Sequence, residues 1–257
     1  MKVISDSFYM TQRHLMALMR QPFWIVFMLV QPVIWLLLYG QLFRRVVELP
    51  GFQTGNYISF LMPGVVVTSA LFGGGWAGMG IIADLERGVI DRFLLTPVSR
   101  TAVIAGRIIA MCISGAVQSC ILISLGFLMG ARYGGGLVGI PLLLVSAMLM
   151  MAAFGALSNA LALVVRKEES VIGASNMLLL PMTFLAPIYM AKPLMPGWMQ
   201  KASLVNPVTW TVEAGREALR VSPNWSAVGI RLLILLIFVL ASMWVATRAF
   251  RIYQRSM

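Results

Sequence analysis

Charge is scarce in this sequence. Of its 257 residues 60% are apolar and 11% are charged, whereas a soluble domain runs near a quarter charged. That shortage excludes an ordinary soluble domain and points to an integral membrane protein. Acid is scarcer still, with nine Asp and Glu against twenty Lys and Arg and a net charge of +11. The basic residues are scattered along apolar runs. This excludes a nucleic-acid surface and fits Lys and Arg at the ends of spans, facing anionic lipid. Histidine occurs once, at His14, and cysteine twice, at Cys112 and Cys120. A single histidine excludes a His-based metal site or triad within the chain. Eight residues of helix set the cysteines about 12 Å apart, too far for a disulfide within the chain. No Gly-Lys pair occurs, so there is no phosphate-binding loop and no ATP hydrolysis by that route. A signal-peptide pattern is also lacking, and the first apolar run, from Phe23, is expected to remain in the mature protein.

What is present is a series of charge-free stretches: Phe23–Phe43, Tyr57–Ala83, Ile108–Ala131, Tyr133–Val165, Ser170–Ala191 and Leu232–Thr247. A spanning helix needs about 20 apolar residues. Five stretches meet this outright, and the sixth does so from Ser226 if Arg231 snorkels to the interface. The expectation is one all-α transmembrane domain of six helices, over about 23–43, 57–83, 104–131, 136–165, 171–190 and 226–247. Six crossings put both termini on one side. With that side inside, twelve of the twenty Lys and Arg are cytoplasmic, so the positive-inside bias favours cytoplasmic termini in a multi-pass membrane protein.

Two flanking segments are patterned. Over 5–20, Phe8, Leu15, Leu18 and Met19 share one arc of a helical wheel, and Asp6, Arg13 and Arg20 the other. This predicts a helix lying on the inner membrane surface. Between Lys192 and Trp225, Pro193, Pro196, Pro207 and Pro223 cut the chain into pieces. Pro196 starts one piece, and Asn206 caps another with Pro207 in its first turn. Two short helices over 196–219, dipping in from the outer side, are expected.

The loop between the second and third spans is both charged and greasy. A helix over 84–95 puts Leu85, Val89, Ile90, Phe93 and Leu94 on one arc and Asp84, Arg87 and Asp91 opposite. Glu86 falls inside the apolar arc, where a carboxylate seeks a cation or backbone donors. Thr96 and Pro97 then break the helix and start the next.

The span centres hold amides but no charge: Gln31, Gln118, Asn159 and Asn176. An ion-driven transporter normally carries buried ionisable groups on its coupling path, so a secondary transporter is disfavoured. "FGGGWAGMG", Phe72–Gly80, places Gly74 and Gly78 in GxxxG spacing for close helix packing. Pro32, Pro181 and Pro187 are expected to kink spans 1 and 5. Nineteen methionines and thirteen phenylalanines offer soft surfaces to an apolar cargo. Gln31, Trp76, Asn176 and Phe184 are the candidate path residues.

"LERGVIDRFLLTPVSR" closely resembles the signature region of the type 2 family of ATP-binding cassette exporter permeases, of the daunorubicin-resistance kind. "LMPGWMQKASLVNPVTWTVEAGREAL" resembles the same family's segment before its last span. The resemblance implies six spans per subunit, a homo- or heterodimer of permeases, and a separate nucleotide-binding ATPase subunit holding ATP and Mg. No cofactor or metal is expected on this chain itself, and no nucleic-acid partner. The resemblance further implies a coupling helix after span 2, matched here by Glu86, Arg87, Gly88, Arg92, Leu94, Thr96, Pro97, Ser99 and Arg100. Arg87, Asp91 and Arg92 are the expected partner contacts. Outer short helices are matched by Trp198, Asn206, Pro207, Glu213 and Arg216, the candidate outer gate. Glu213 and Arg216, three apart, are expected to pair, and Gly88 is expected to permit close backbone approach. Export of a hydrophobic drug or lipid is the function implied. A polysaccharide or lipid-linked glycan exporter and a non-transporting membrane scaffold are the alternatives.

Overall fold

The computed structural model describes residues 2–19, 22–48, 56–89 and 100–255. These residues form ten α-helices, joined by turns and two short 3₁₀ segments at Arg44–Glu48 and Lys192–Leu194. In chain order they are α1 (Lys2–Met19), α2 (Pro22–Leu42), α3 (Tyr57–Gly75), α4 (Gly78–Glu86) and α5 (Arg100–Leu128), then α6 (Gly136–Val165), α7 (Glu168–Phe184), α8 (Gly197–Leu204), α9 (Pro207–Ala218) and α10 (Trp225–Arg255).

Four helical stretches among the described residues are long and apolar enough to cross a bilayer: Tyr57–Glu86, Ala105–Leu128, Val138–Val165 and Trp225–Tyr253. Helix α2 has 21 residues, of which Met28–Leu42 is the apolar part with described side chains. One segment expected to span falls short of that standard. Helix α7 has 17 residues, opens on Glu168 and Glu169 and stops at Phe184, whereas the sequence pattern carries the run on to residue 190. Pro187 lacks the N–H a helix needs there, and the Ile188 amide turns back to the Ala186 carbonyl at 2.8 Å.

Helix α6 is the hub. It packs against α3, α4, α5, α7, α9 and α10. Burial divides centre from periphery: 67% of the apolar window in Tyr57–Glu86 is buried, against 17% in Trp225–Tyr253. The outer faces of α2, α5 and α10 carry exposed Leu38, Val117, Leu240 and Trp244, as surfaces turned to lipid do. In lipid, helices associate through close packing rather than hydrophobic burial. The α3–α4/α6 contact shows this: a Cβ added to Gly74 or Gly78 would lie 2.6 Å from Met151 O or 2.4 Å from Ser158 O. The GxxxG spacing therefore lets two backbones touch.

Local sequence sets the ends. Asn56 caps α3, accepting from the Ile58 amide at 3.0 Å, and its Nδ2 donates to Gly130 O at 2.8 Å. One amide thus ties the start of α3 to the end of α5. The stretch Tyr57–Glu86 carries the chain from that point to Asp84, about 40 Å at helical rise, and so defines a Tyr57 end and an Asp84 end of the bundle. Helix α1 lies against α5 near the Asp84 end, with buried Met10 and Thr11 inward and Thr11 Oγ1 donating to Gly106 O at 3.2 Å. Phe8, expected on the apolar arc of this helix, is 66% exposed, free to face a membrane surface.

Candidate functional site

Candidate residues fall in three places along the bundle. At the Asp84 end, the helix expected over 84–95 is interrupted after Glu86, and its part from 90 to 95 lies outside the described residues. Arg87 caps α4, and Gly88 takes a φ of +62°. That left-handed conformation favours glycine and follows the last helical residue, Glu86, by two positions. A Cβ on Gly88 would meet nothing among the described residues within 4 Å, so among them backbone conformation, not close approach, accounts for the glycine. Glu86 and Arg87 are exposed. Asp91, Arg92, Thr96, Pro97 and Ser99 lie outside the described residues, and Arg100 opens α5.

Behind this turn is an ion pair that charge counting missed. Asp84 of α4 accepts from Arg107 of α5, and the same guanidinium donates to Gly80 O at 3.0 Å. The available signal was one acid closing span 2 and one base opening span 3. His14 of α1 packs beside the pair. Burial, and then the positive charge of Arg107, push its imidazole down to a pKa of about 4, so it is neutral at physiological pH.

Midway along the bundle, the span from Tyr57 is broken. Trp76 ends α3, Ala77 bridges, and Gly78 begins α4. The backbone groups freed there find hydroxyls. Ser158 Oγ of α6 donates to Gly75 O at 2.5 Å and accepts from the Gly78 amide at 2.9 Å. Ser175 Oγ of α7 also donates to Gly75 O, at 2.9 Å. In hydrocarbon a broken helix persists only where neighbours satisfy it. The serines carry no motif in the sequence, which is why reasoning from spacing overlooked them.

Beside the break, a cavity of about 180 Å³ opens between α2, α3 and α5, lined by Gln31, Trp35, Thr68, Phe72, Trp76 and Gln118 among others. Two of the predicted path residues, Gln31 and Trp76, meet here. Trp76 Nε1 is buried with no hydrogen-bond partner among the described residues. The Gln118 amide is already engaged, donating to Met28 O at 3.1 Å. Asn176 and Phe184 do not line this cavity. They sit on α7, Asn176 half-buried and Phe184 exposed.

At the Tyr57 end, α9 and the turn after α7 build a second cavity of about 1080 Å³. Asn206 caps α9, accepting from the Val208 amide at 3.0 Å, with Pro207 following in its first turn. Asn206 Nδ2 donates to Met182 O at 2.7 Å, fixing α9 against α7. The expected Glu213–Arg216 pair does not form. Glu213 instead binds Arg231 at 2.8 Å and Lys192 at 3.7 Å, so Arg231 is held in an ion pair and not left to snorkel. Arg216 turns the other way. It donates to Phe60 O at 3.2 Å, Ile188 O at 2.8 Å and Pro187 O, and its guanidinium lies 3.6 Å from the Phe60 ring centroid. A planar fork of donors suits a set of converging carbonyls. The geometric reason is the early end of α7: its non-helical continuation presents carbonyls that a helix would have used. Glu213 and Arg216 line the cavity. Trp198 is 66% exposed on α8 and does not.

Comparison with known proteins gives a family. Residues 6–219 match the model of the ABC-2 type transporter family. The daunorubicin resistance ABC transporter permease protein DrrB1 of Streptomyces coeruleorubidus is 30% identical over 85% of this chain and 76% of its own length. The ycf38 proteins of Cyanophora paradoxa and Pyropia yezoensis, provisionally named transport permeases, are 27% and 28% identical. They cover 82% and 83% of this chain and 72% and 73% of their own lengths. A helical bundle with several membrane-length helices, matched over most of its length, belongs to the ABC-2 type transporter family and is a transport permease subunit.

Proposed function

We propose that this chain is the permease half of an ATP-driven exporter of hydrophobic drugs or lipid-like molecules. The observation that carries the reading is the family match over residues 6–219. The relative named for daunorubicin resistance and the mostly apolar wall of the cavity beside Trp76 support an apolar cargo. In this reading α2 and α7 cross the membrane along with the four long helices, giving six spans with cytoplasmic termini. Two permease copies pair, and ATP with Mg is held by a separate nucleotide-binding subunit.

The power stroke enters at the Asp84 end. ATP closes the nucleotide-binding subunits, and the segment 87–100 moves with them through Arg87, Asp91 and Arg92. Charge at such a rim governs the choice of partner more than affinity. Asp84 and Arg107 carry the motion into α4 and α5 together. The break at Trp76–Ala77 lets α4 tilt against α3, and the cavity holding Gln31 and Trp76 opens and closes in turn. Asn176 and Phe184 join the path where a second copy closes over α7. Trp198, Asn206, Pro207, Glu213 and Arg216 form the outer gate.

One feature favours a glycan as cargo instead. Trp35, Tyr39, Tyr189, Phe43, Tyr57 and Phe60 form a continuous string of ring contacts, with neighbouring centroids 4.9–6.1 Å apart, between the two cavities. Tyr57 is 2% exposed, so in this conformation the string is packed rather than open for stacking. Co-purifying the ATPase subunit and reconstituting the complex tests the reading. Apolar drugs or lipids are expected to stimulate ATP turnover, and Arg87→Glu to abolish that stimulation. Stimulation by glycans alone selects the second reading, and a complex indifferent to Arg87→Glu is a scaffold.

A further inference from the structure

The cavity at the Tyr57 end is unusually basic for a chain so poor in charge. Five of its lining residues are cations, namely Arg132, Lys192, Arg216, Arg220 and Arg231, and two are carboxylates, Glu213 and Glu217. Five against two leaves a surplus of three positive charges. The carboxylates are already engaged: Glu213 holds Lys192 and Arg231, and Glu217 holds Arg220 at 2.9 Å while accepting from the Asn224 amide at 3.1 Å. Arg216 is satisfied by carbonyl dipoles, with no carboxylate at ion-pair distance among the described residues. Arg132 is exposed, and its guanidinium has no ion pair among them. Its backbone amide is held by Ser59 Oγ at 2.9 Å, so the side chain projects from a fixed point.

Cations gathered this closely repel one another, and a concave wall of low dielectric strengthens their common field. An anion in the cavity would offset that repulsion. At about 1080 Å³ the space is far larger than a bare ion needs and reaches the upper range of small-molecule sites, about 1,000 Å³. The wall is not uniformly polar: Phe60, Pro63 and Val221 also line it, and Val221 is 88% exposed. Basic floor and apolar shoulder together fit an amphiphile with an anionic head.

We propose that this cavity binds the phosphate headgroup of an anionic amphiphile, with Arg132 and Arg220 as its accessible cationic contacts and Arg216 as a fixed positive floor. The arginine fork favours phosphate oxygens over a neutral head. The site deepens the export reading by naming a chemical class for what reaches this end of the bundle. The test reads binding, not transport, so its failure and that of the export reading are distinguishable.

The permease is placed in nanodiscs of mixed phosphatidylglycerol and phosphatidylcholine, released, and weighed by native mass spectrometry. Phosphatidylglycerol is expected to be retained at least tenfold over phosphatidylcholine. The Arg132→Gln/Arg220→Gln variant is expected to lose that preference, and Arg132→Lys/Arg220→Lys to keep most of it. Glu217→Gln, which removes a competing carboxylate, is expected to raise retention, a gain that misfolding does not produce. Inorganic phosphate is titrated separately. Phosphate that displaces the lipid at micromolar concentration assigns the same cavity to a free phosphate. Equal retention of both lipids, or a preference unchanged in the glutamine variant, overturns the proposal.

Discussion

Ser158 Oγ stands 2.5 Å from the Gly75 carbonyl, on the far side of a helix–helix contact, and stitches the break between α3 and α4 from outside. The same oxygen accepts from Gly78 N, so one hydroxyl serves both ends of the interruption. Ser158→Ala strands the Gly78 amide and leaves Gly75 O to Ser175 alone. A buried donor without a partner costs about 1–3 kcal/mol. The expected result is a lower melting temperature in detergent, with a larger loss in Ser158→Ala/Ser175→Ala than the single changes sum to, because both hydroxyls meet one carbonyl. Additive losses would show that the two act independently.

Gly88 governs the direction in which the chain leaves α4. Its φ of +62° costs a residue with a Cβ about 1–2 kcal/mol, whereas asparagine tolerates the region. Gly88→Val is expected to uncouple substrate from ATP turnover in the reconstituted complex while the permease still assembles in the membrane. Gly88→Asn is expected to retain most of the coupling. Equal loss in both would assign the glycine to contact with a partner, not to backbone shape.

These two positions mark what the sequence made legible. Gly74 and Gly78 announced a close contact by spacing, and Asn206-Pro207 announced a helix start by residue type. Both are local codes, read within a few residues. The turn at Gly88 and the end of α7 were not legible, because apolar periodicity runs on after the backbone has turned, at Gly88 and at Pro187. The tertiary partners were invisible for another reason. Glu213 and Arg216 are neighbours on one helix face, yet each finds stronger partners elsewhere: Glu213 takes Arg231 from α10, and Arg216 takes the carbonyls beyond α7. Of the four candidate path residues, spacing had no means to place Gln31 and Trp76 on one cavity and Asn176 and Phe184 on another face.

His14 gives the complex a pH dependence of known sign. Its pKa is lowered from 6.5 to about 4 by burial first and by Arg107 second. Between these values the unfolded chain binds more protons than the folded one, so stability rises with pH. The contribution is complete above about pH 6.5 and is lost as pH falls toward 4. The melting temperature is expected to drop across that window in the wild type and to drop less in His14→Gln. Identical slopes would mean that the α1–α5 contact opens without exposing His14.

Asn159 stands at the opposite extreme from Ser158. It is fully buried in α6, and neither amide atom has a hydrogen-bond partner among the described residues. Replacing an unpaired buried polar group by an apolar one of similar shape is neutral or stabilising. Asn159→Leu is therefore expected to melt at or above the wild-type temperature. A clear loss of stability would mean that a water or a second subunit satisfies the amide in the membrane.

Arg216 carries the most specific structural expectation. Its three bonds to Phe60, Pro187 and Ile188 carbonyls hold the non-helical turn after α7 against the start of α3, and its flat face covers the Phe60 ring. Lysine keeps the charge but is a point donor without the fork or the stacking plane. Arg216→Lys then strands at least one buried carbonyl and is expected to cost about 2–3 kcal/mol. The loss belongs to this turn, so hydrogen exchange should quicken at residues 185–190 before it does in α6. Were charge alone the requirement, lysine would substitute freely and exchange there would stay slow, which would assign the guanidinium to the field of the cavity and not to the turn.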